Sequence, residues 1–246
     1  MHRVQSTIQA EPEPAFILHT RPYRETSALV DFFSRHYGRF RAVARGVRGT
    51  KKNSPVLTSY TPLLITWSGK SDLKTVKTME SSGPPILLQG DRLYCGFYLN
   101  ELLLKLLAEH DAHEKLFDSY LNTLTLLANT EAPLESSLRT FEFSLLEDIG
   151  YAIVLDSDAE TGDSIVPDRW YWFDPSIGFV LKQGVLKPRT KSQTNAANWF
   201  LGAELLAIHA EQFHQTNIAS AAKRLVRLAF RPHIGDSPLR SRALFK

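Results

Sequence analysis

The sequence predicts an α+β chain: a small β-barrel at the N-terminus, then an α-helical domain carrying a β-hairpin insertion. Three observations support this. Five short segments of strand-forming residues crowd the first 80 positions, with turn chemistry between them. After Pro84-Pro85 the apolar period lengthens to that of helices. Further on, Trp170-Tyr171-Trp172-Phe173, a turn at Asp174–Gly178, and Phe179-Val180-Leu181 interrupt the helical pattern.

Residues 1–14 are polar and read as a loose lead-in, without the basic-then-apolar order of a signal peptide. The first strand is expected at Ala15–Thr20, ended by the Arg21-Pro22-Tyr23 bend, and the second at Ser27–Phe33. Ser34–Gly38 turns the chain into a third strand, Arg39–Gly46. A basic loop and Pro55 precede the fourth, Leu63–Ser68, and Ser68-Gly69-Lys70-Ser71 turns it into the fifth, Leu73–Glu80. Five strands with a long loop before the fourth fit the five-stranded OB-fold barrel, assigned to residues 1–80. That barrel holds oligonucleotides across one face, with aromatic platforms and basic side chains.

Residues 81–246 are expected to form the helical domain. A buried helix from Gly90 to Glu109 carries Leu93, Phe97, Leu99, Leu102, Leu103, Leu106 and Leu107. A second carries Leu116, Phe117, Tyr120, Leu121, Leu124 and Leu127. The third, with Pro133 in its first turn, carries Leu138, Phe141, Leu145 and Ile149 and ends at Gly150. Three such neighbours make a bundle. The insertion occupies about 151–190 and begins with a flexible acidic loop, Asp156–Glu160. Helix resumes from Ala196 to His214, and again from Asn217, a good N-cap, to about Phe230.

Net charge is only +3, but it is laid out unevenly. Residues 1–80 carry +7, 81–150 carry −7, 151–186 carry −4 and 187–246 carry +7. Two basic ends around an acidic middle suggest phosphate-binding surfaces at the ends and a protein-facing or solvated surface between. The basic stretch from Gly38 to Lys52 contains no acid. Strand alternation puts Arg39, Arg41, Val43 and Arg45 on one face and Phe40, Ala42 and Ala44 in the core. The cationic face continues into Arg48, Lys51 and Lys52 on a loop loosened by Gly46 and Gly49. Such a row suits a polyanion; it also suits a solvated edge strand protected from aggregation. On the last helix Lys223, Arg224, Arg227 and Arg231 share a side and offer a second phosphate contact. Tyr23, Tyr37, Phe40 and Trp67 are core residues or base-stacking platforms.

Signs of catalysis are poor. Ser68-Gly69-Lys70-Ser71 lacks the upstream glycine of a phosphate loop, since that position is Leu64. Glu109, His110, Asp111, His113 and Glu114 could be drawn as a metal cluster but read better as a polar link between helices. The single Cys95 lies in an apolar run and is a poor nucleophile. No enzyme activity, metal or cofactor is expected, and the chain is placed in the cytoplasm with the nucleoid.

Several segments together resemble the RecO family of bacterial DNA-repair proteins. They are Ile17–Ser27, Gly38–Arg48, Tyr60–Leu63, and Leu73-Lys74-Thr75 with Glu80. Tyr98–Leu102, Leu116–Tyr120, Leu138-Arg139-Thr140-Phe141-Glu142, Leu145-Leu146 with Gly150-Tyr151, and Pro238–Arg242 follow in the family's order. Where the family usually reads Ala-Lys-Gly-x-Arg, Arg45 replaces the lysine and keeps its charge. The resemblance implies an OB-fold joined to a helical domain and a non-catalytic role. That role is binding single- and double-stranded DNA, annealing complementary strands, and helping load RecA onto strands coated by single-strand-binding protein (SSB). It implies RecR and the acidic SSB tail as partners, the tail contacting Leu138, Arg139 and Phe141, unless Arg139 pairs within its own helix with Glu135 or Glu142. Some members carry a four-cysteine zinc site near 151–190; with one cysteine outside that region, this chain lacks it and must hold the hairpin by its aromatics. The expected DNA contacts are Arg39, Arg41, Arg45, Arg48, Lys51 and Lys52, with Lys223, Arg224 and Arg227 behind them. The alternatives are an RNA-binding OB-fold protein, a phosphodiester-processing enzyme, and a scaffold binding only proteins.

Overall fold

Alternating apolar residues close the N-terminal part into a five-stranded barrel. Its strands are β1 (Thr7–Tyr23), β2 (Ser27–Ser34), β3 (Gly38–Ala44), β4 (Leu63–Gly69) and β5 (Lys74–Ser81), arranged β1-β2-β3-β5-β4. The structure, a computed structural model, describes residues 7–48, 57–182, 196–235 and 239–244. Ala15, Ile17, Val30, Phe32, Phe40, Ala42, Ile65 and Trp67 fill the interior, none more than 1% exposed.

The strand β1 is far longer than the expected Ala15–Thr20 because it serves two neighbours. Its first half, through Ala15, pairs with β4 and its second half, to Tyr23, pairs with β2, with register shifts between Gln9 and Glu13 and between Ile17 and His19. Such irregularities let one strand turn a barrel corner. Barrel closure between β3 and β5 is parallel and brief: Ala42 faces Lys74 and Val43 faces Thr75. The edge of β3 below Ala42 is taken instead by Glu109–Asp111, where the His110 amide donates to the Arg39 carbonyl at 2.8 Å. Gly38 makes this approach possible. Its φ is +72°, and a Cβ there would run into the Asp111 carbonyl.

Helices α1 (Asp91–Leu106) and α2 (Glu114–Ala128) pack on each other, and two rings of α2 reach the barrel's outer face. Phe117 and Tyr120 meet Phe16 and Phe33 at centroid distances of 5.3 to 6.0 Å. Buried Asn100 donates from Nδ2 to the Leu18 carbonyl at 2.9 Å and accepts from the Tyr120 hydroxyl, which ties both helices to β1. Burial pushes the Tyr120 hydroxyl pKa well up, so it stays a donor. Phe97, expected in the buried face of α1, is 41% exposed.

The chain forms two compact units, residues 1–129 with 239–246, and residues 130–238. In the first, a short 3-10 turn at Arg240–Leu244 returns to α1, where the Glu101 carboxylate accepts both the Arg240 and Ser241 amides at 2.9 Å and the Ser241 hydroxyl at 2.7 Å. Partial burial pushes the Glu101 pKa up, but these donors outweigh it and hold the carboxyl below its ordinary value.

The second unit contains α3 (Leu134–Asp148), α4 (Gly202–His209) and α5 (Thr216–Ile234), and a sheet of order β7-β6-β8 built from β6 (Trp170–Asp174), β7 (Gly178–Leu181) and β8 (Trp199–Leu201). The expected three-helix bundle is therefore divided: α3 lies in this unit and packs on α5. The helix expected from Ala196 is replaced by a 3-10 turn, β8 and the shorter α4. Trp199-Phe200-Leu201 prefers a half-buried pleat, where Phe200 locks between Phe173 and Phe179. α5 is capped by Gln215, two residues before the expected Asn217. The acidic stretch expected as a flexible loop is tied down: the Asp158 carboxylate accepts amides of Glu160, Thr161 and Leu181. Desolvation raises its pKa, but these three bonds bring it below the usual value. Among the described residues, no helix is long and apolar enough to cross a membrane.

Candidate nucleic-acid interface

Cross-strand register sorts the outward residues of β1, β2 and β3 into four rungs. The first is Phe16, Phe33 and Arg39; the second His19, Asp31 and Arg41; the third Arg21, Leu29 and Val43. The fourth is Tyr23 and Ser27, with Arg45 just past the end of β3. The expected alternation holds, with Phe40, Ala42 and Ala44 inside.

Chemistry changes from rung to rung. On the first, α2 covers both phenylalanines, and the Arg39 side chain is 12% exposed. Its Nε donates to the Leu107 carbonyl at 3.0 Å and its Nη1 to Glu109 Oε1 at 3.1 Å. On the second, Arg41 Nε donates to buried Asp31 at 3.0 Å, its Nη2 lies 3.8 Å from Glu109 Oε1, and His19 Nδ1 lies 3.8 Å from Asp31. One carboxylate, Glu109, thus serves two guanidiniums. Coulomb attraction at these distances, partly shielded from water, competes directly with a phosphate.

Beyond the second rung the cations carry no ion pair among the described residues. Arg21, Arg24, Arg45 and Arg48 are all exposed. They surround one barrel end, because the Arg48 amide donates to the Thr26 carbonyl at 3.0 Å, and its guanidinium reaches the Arg24 carbonyl at 3.4 Å. That fastens the turn after β3 to the turn between β1 and β2. Half-buried Tyr23 sits in the same place, with the Arg24 guanidinium 5.3 Å from its ring centre. Arg21 and Arg24 were not in the expected cation set. The signal was present as Arg21-Pro22-Tyr23-Arg24, but only the β1–β2 pairing brings it beside Arg45 and Arg48. Lys51 and Lys52 lie outside the described residues. Phe40 and Trp67 are fully buried, and Tyr37 packs on both and on His110 at the far turn.

The stripe on α5 is divided too. Lys223 pairs with Glu135 at 2.9 Å. Arg224 donates to the Trp199 carbonyl at 3.0 Å, lies 3.4 Å from Glu204 and stacks 4.2 Å over the Phe200 ring. Arg227 and Arg231 are exposed and carry no ion pair among the described residues. On α3, Leu138, Arg139 and Phe141 are 6%, 3% and 0% exposed. The Arg139 guanidinium lies 2.9 Å from Glu142 and 3.9 Å from Glu135. Beside them, Pro133, Leu134, Phe213, Ala219 and Lys223 line a cleft of about 400 Å³ between α3 and α5. Among the described residues, no group of three or more His, Cys, Asp or Glu side chains is placed to hold a metal ion.

Comparison with known proteins bears on both units. Residues 10–85 match the family model described as Recombination protein O N terminal, and residues 87–243 match Recombination protein O C terminal. The chain is 44% identical over 236 residues to the DNA repair protein RecO of Pseudomonas paraeruginosa, covering 96% of this chain and 95% of that one. It is 42% identical over 239 residues to the DNA repair protein RecO of Cellvibrio japonicus (97% and 98%) and 41% identical over 233 residues to that of Coxiella burnetii (94% and 96%).

Proposed function

The chain belongs to the RecO family of DNA repair proteins, and from that premise we propose that it is a non-catalytic recombination mediator. It binds single- and double-stranded DNA, anneals complementary strands and assists RecA onto SSB-coated strands. The observation that carries this is the group of exposed guanidiniums at the barrel end, Arg21, Arg24, Arg45 and Arg48, with no carboxylate set against them among the described residues.

The mechanism is electrostatic. These arginines, with Lys51 and Lys52, neutralise phosphates and release counterions, while base edges stay free to pair. Tyr23 offers its ring to one base. Arg39 and Arg41 stand behind, kept from phosphate by Glu109 as long as that carboxylate holds them. In the second unit Arg227 is a further exposed cation for phosphate, whereas Lys223 and Arg224 are occupied by Glu135 and Glu204 and take no part on bare DNA. Six phosphate contacts give roughly a thousandfold loss of duplex affinity between 50 and 200 mM salt.

The acidic SSB tail enters the cleft between α3 and α5. Its carboxylates take Lys223 from Glu135, and Arg139 stands behind that glutamate as a second cation, with Leu138 and Phe141 supporting the wall. RecR is the second partner. The test is annealing of SSB-coated complementary strands by wild type, by Arg45→Ala with Arg48→Ala, and by Lys223→Glu. The first variant is expected to lose annealing on bare and coated DNA alike, and the second on coated DNA only. Undiminished annealing by the double variant would refute the reading.

A further inference from the structure

The second unit carries a surface for which handling DNA has no use. Past Gly150, residues Ala152–Leu155 lie outside helix and strand and alternate in exposure as a strand does: Ala152 and Val154 exposed, Ile153 half-buried, Leu155 buried. Yet they pair with no strand. Among the described residues, no hydrogen bond engages the backbone of Ala152, Ile153 or Val154. Beside them lies a groove of about 490 Å³, with Phe173 and Phe179 beneath it and Tyr151, Ile177 and His233 around it. The His233 ring lies against Tyr151, tilted by 42° at a centroid distance of 3.8 Å, and forms one wall. Tyr151, Val154 and Ile177 are 50%, 56% and 57% exposed. Three large apolar side chains round one groove make the kind of patch that marks an interaction site.

Carboxylates outnumber cations in the chain around it, where Lys182 and Arg231 are the exposed cations near its walls. Exposed Asp156, Glu160 and Asp163 flank the groove in sequence and carry no ion pair among the described residues. This acidic excess disfavours phosphate and acidic tails and favours lysine and arginine. We infer that Ala152–Val154 is a docking edge for an extended segment of a partner protein, one with apolar residues at alternate positions and basic residues between them. The segment adds as a strand: its backbone bonds the free edge, its apolar side chains enter the groove between Val154 and Ile177, and its cations meet the carboxylates. This inference does not depend on the barrel's role.

The test titrates the full-length chain with three fluorescently labelled octapeptides. One alternates valine and lysine, one alternates valine and glutamate, and one is the lysine peptide with proline for its two central valines. Saturable binding of the first is expected, with the other two about tenfold weaker or worse. Val154→Asp adds a negative charge and would strengthen a merely electrostatic attraction. It is expected instead to weaken the lysine peptide about tenfold, as is Ile177→Asp, and both exposed substitutions should keep the wild-type thermal midpoint. Equal binding of lysine and glutamate peptides, full binding by Val154→Asp, or no saturable binding would each overturn the inference. So would self-association of the chain that Val154→Asp abolishes while the peptide fails to bind, since that assigns the edge to a second copy.

Discussion

At the residue scale, neighbouring arginines of one strand have different work. Arg39 is nearly sealed, with charge-assisted bonds to the Leu107 carbonyl and Glu109, whereas Arg45 stands in water with no ion pair. Arg39→Ala should therefore lower stability by about 1–3 kcal/mol, because it strips a buried carbonyl and a half-buried carboxylate of their donor, and should leave the salt dependence of DNA binding unchanged. Arg45→Ala should do the reverse: an unchanged thermal midpoint and a slope of log affinity on log salt shallower by about 0.9. Glu109→Gln tests the link between the two classes. It keeps the shape, removes the charge that Arg39 and Arg41 share, and so should raise duplex affinity at low salt and steepen the slope by about one to two. An unchanged slope would mean that those guanidiniums never reach phosphate. None of this division was legible in the sequence. Residues 39 and 109 are 70 positions apart, and nothing in the run Gly38–Lys52 marks which cations will find a carboxylate.

Among the elements, what sequence reasoning reached was set by local pattern, and what it missed was set by pairing. Alternation within Arg39–Ala44 was enough to place Phe40 and Ala42 inside, because the period of a strand is fixed by its backbone. The same logic could not give β1 its full length, since Thr7–Pro14 earns its strand only by lying beside β4. It misread Trp199-Phe200-Leu201 as helix for a similar reason. Three residues have no period, and their state is decided by β6 and by the buried ring of Phe200. Gly38 shows how narrowly one junction is fitted. A methyl group there meets the Asp111 carbonyl, and an L-residue at φ +72° adds strain of about 1–2 kcal/mol. Gly38→Ala should displace residues 109–111 from the β3 edge. The expected readout is a lowered thermal midpoint together with tighter DNA binding, as Glu109 leaves the guanidiniums. A lowered midpoint with weaker binding would instead mean that the strand itself is distorted.

On the scale of the whole molecule, the charge layout was the most legible feature: basic ends, an acidic middle, and apolar periods that change where the architecture changes. The path of the chain was not legible. It leaves the barrel's unit after residue 129 and returns at residue 239, where a single carboxylate accepts three donors. Glu101 accepts three donors from Arg240 and Ser241, and the ionised form that accepts them is favoured enough to keep its pKa below the ordinary value. The sign of the pH effect follows. A carboxyl whose pKa is lowered on folding contributes stability in full above its unfolded value, about 4.3, and loses it as pH falls through the lowered one. Glu101→Gln removes the charge at every pH. The thermal midpoint of wild type should therefore exceed that of Glu101→Gln by a constant margin from pH 6 to 7, and the margin should shrink toward zero as pH falls below about 4. Both proteins share every other carboxylate, so general acid destabilisation cancels in the difference. A margin independent of pH would show that the returning segment is held by packing, with buried Leu239 the first residue to suspect, and not by the charge on Glu101.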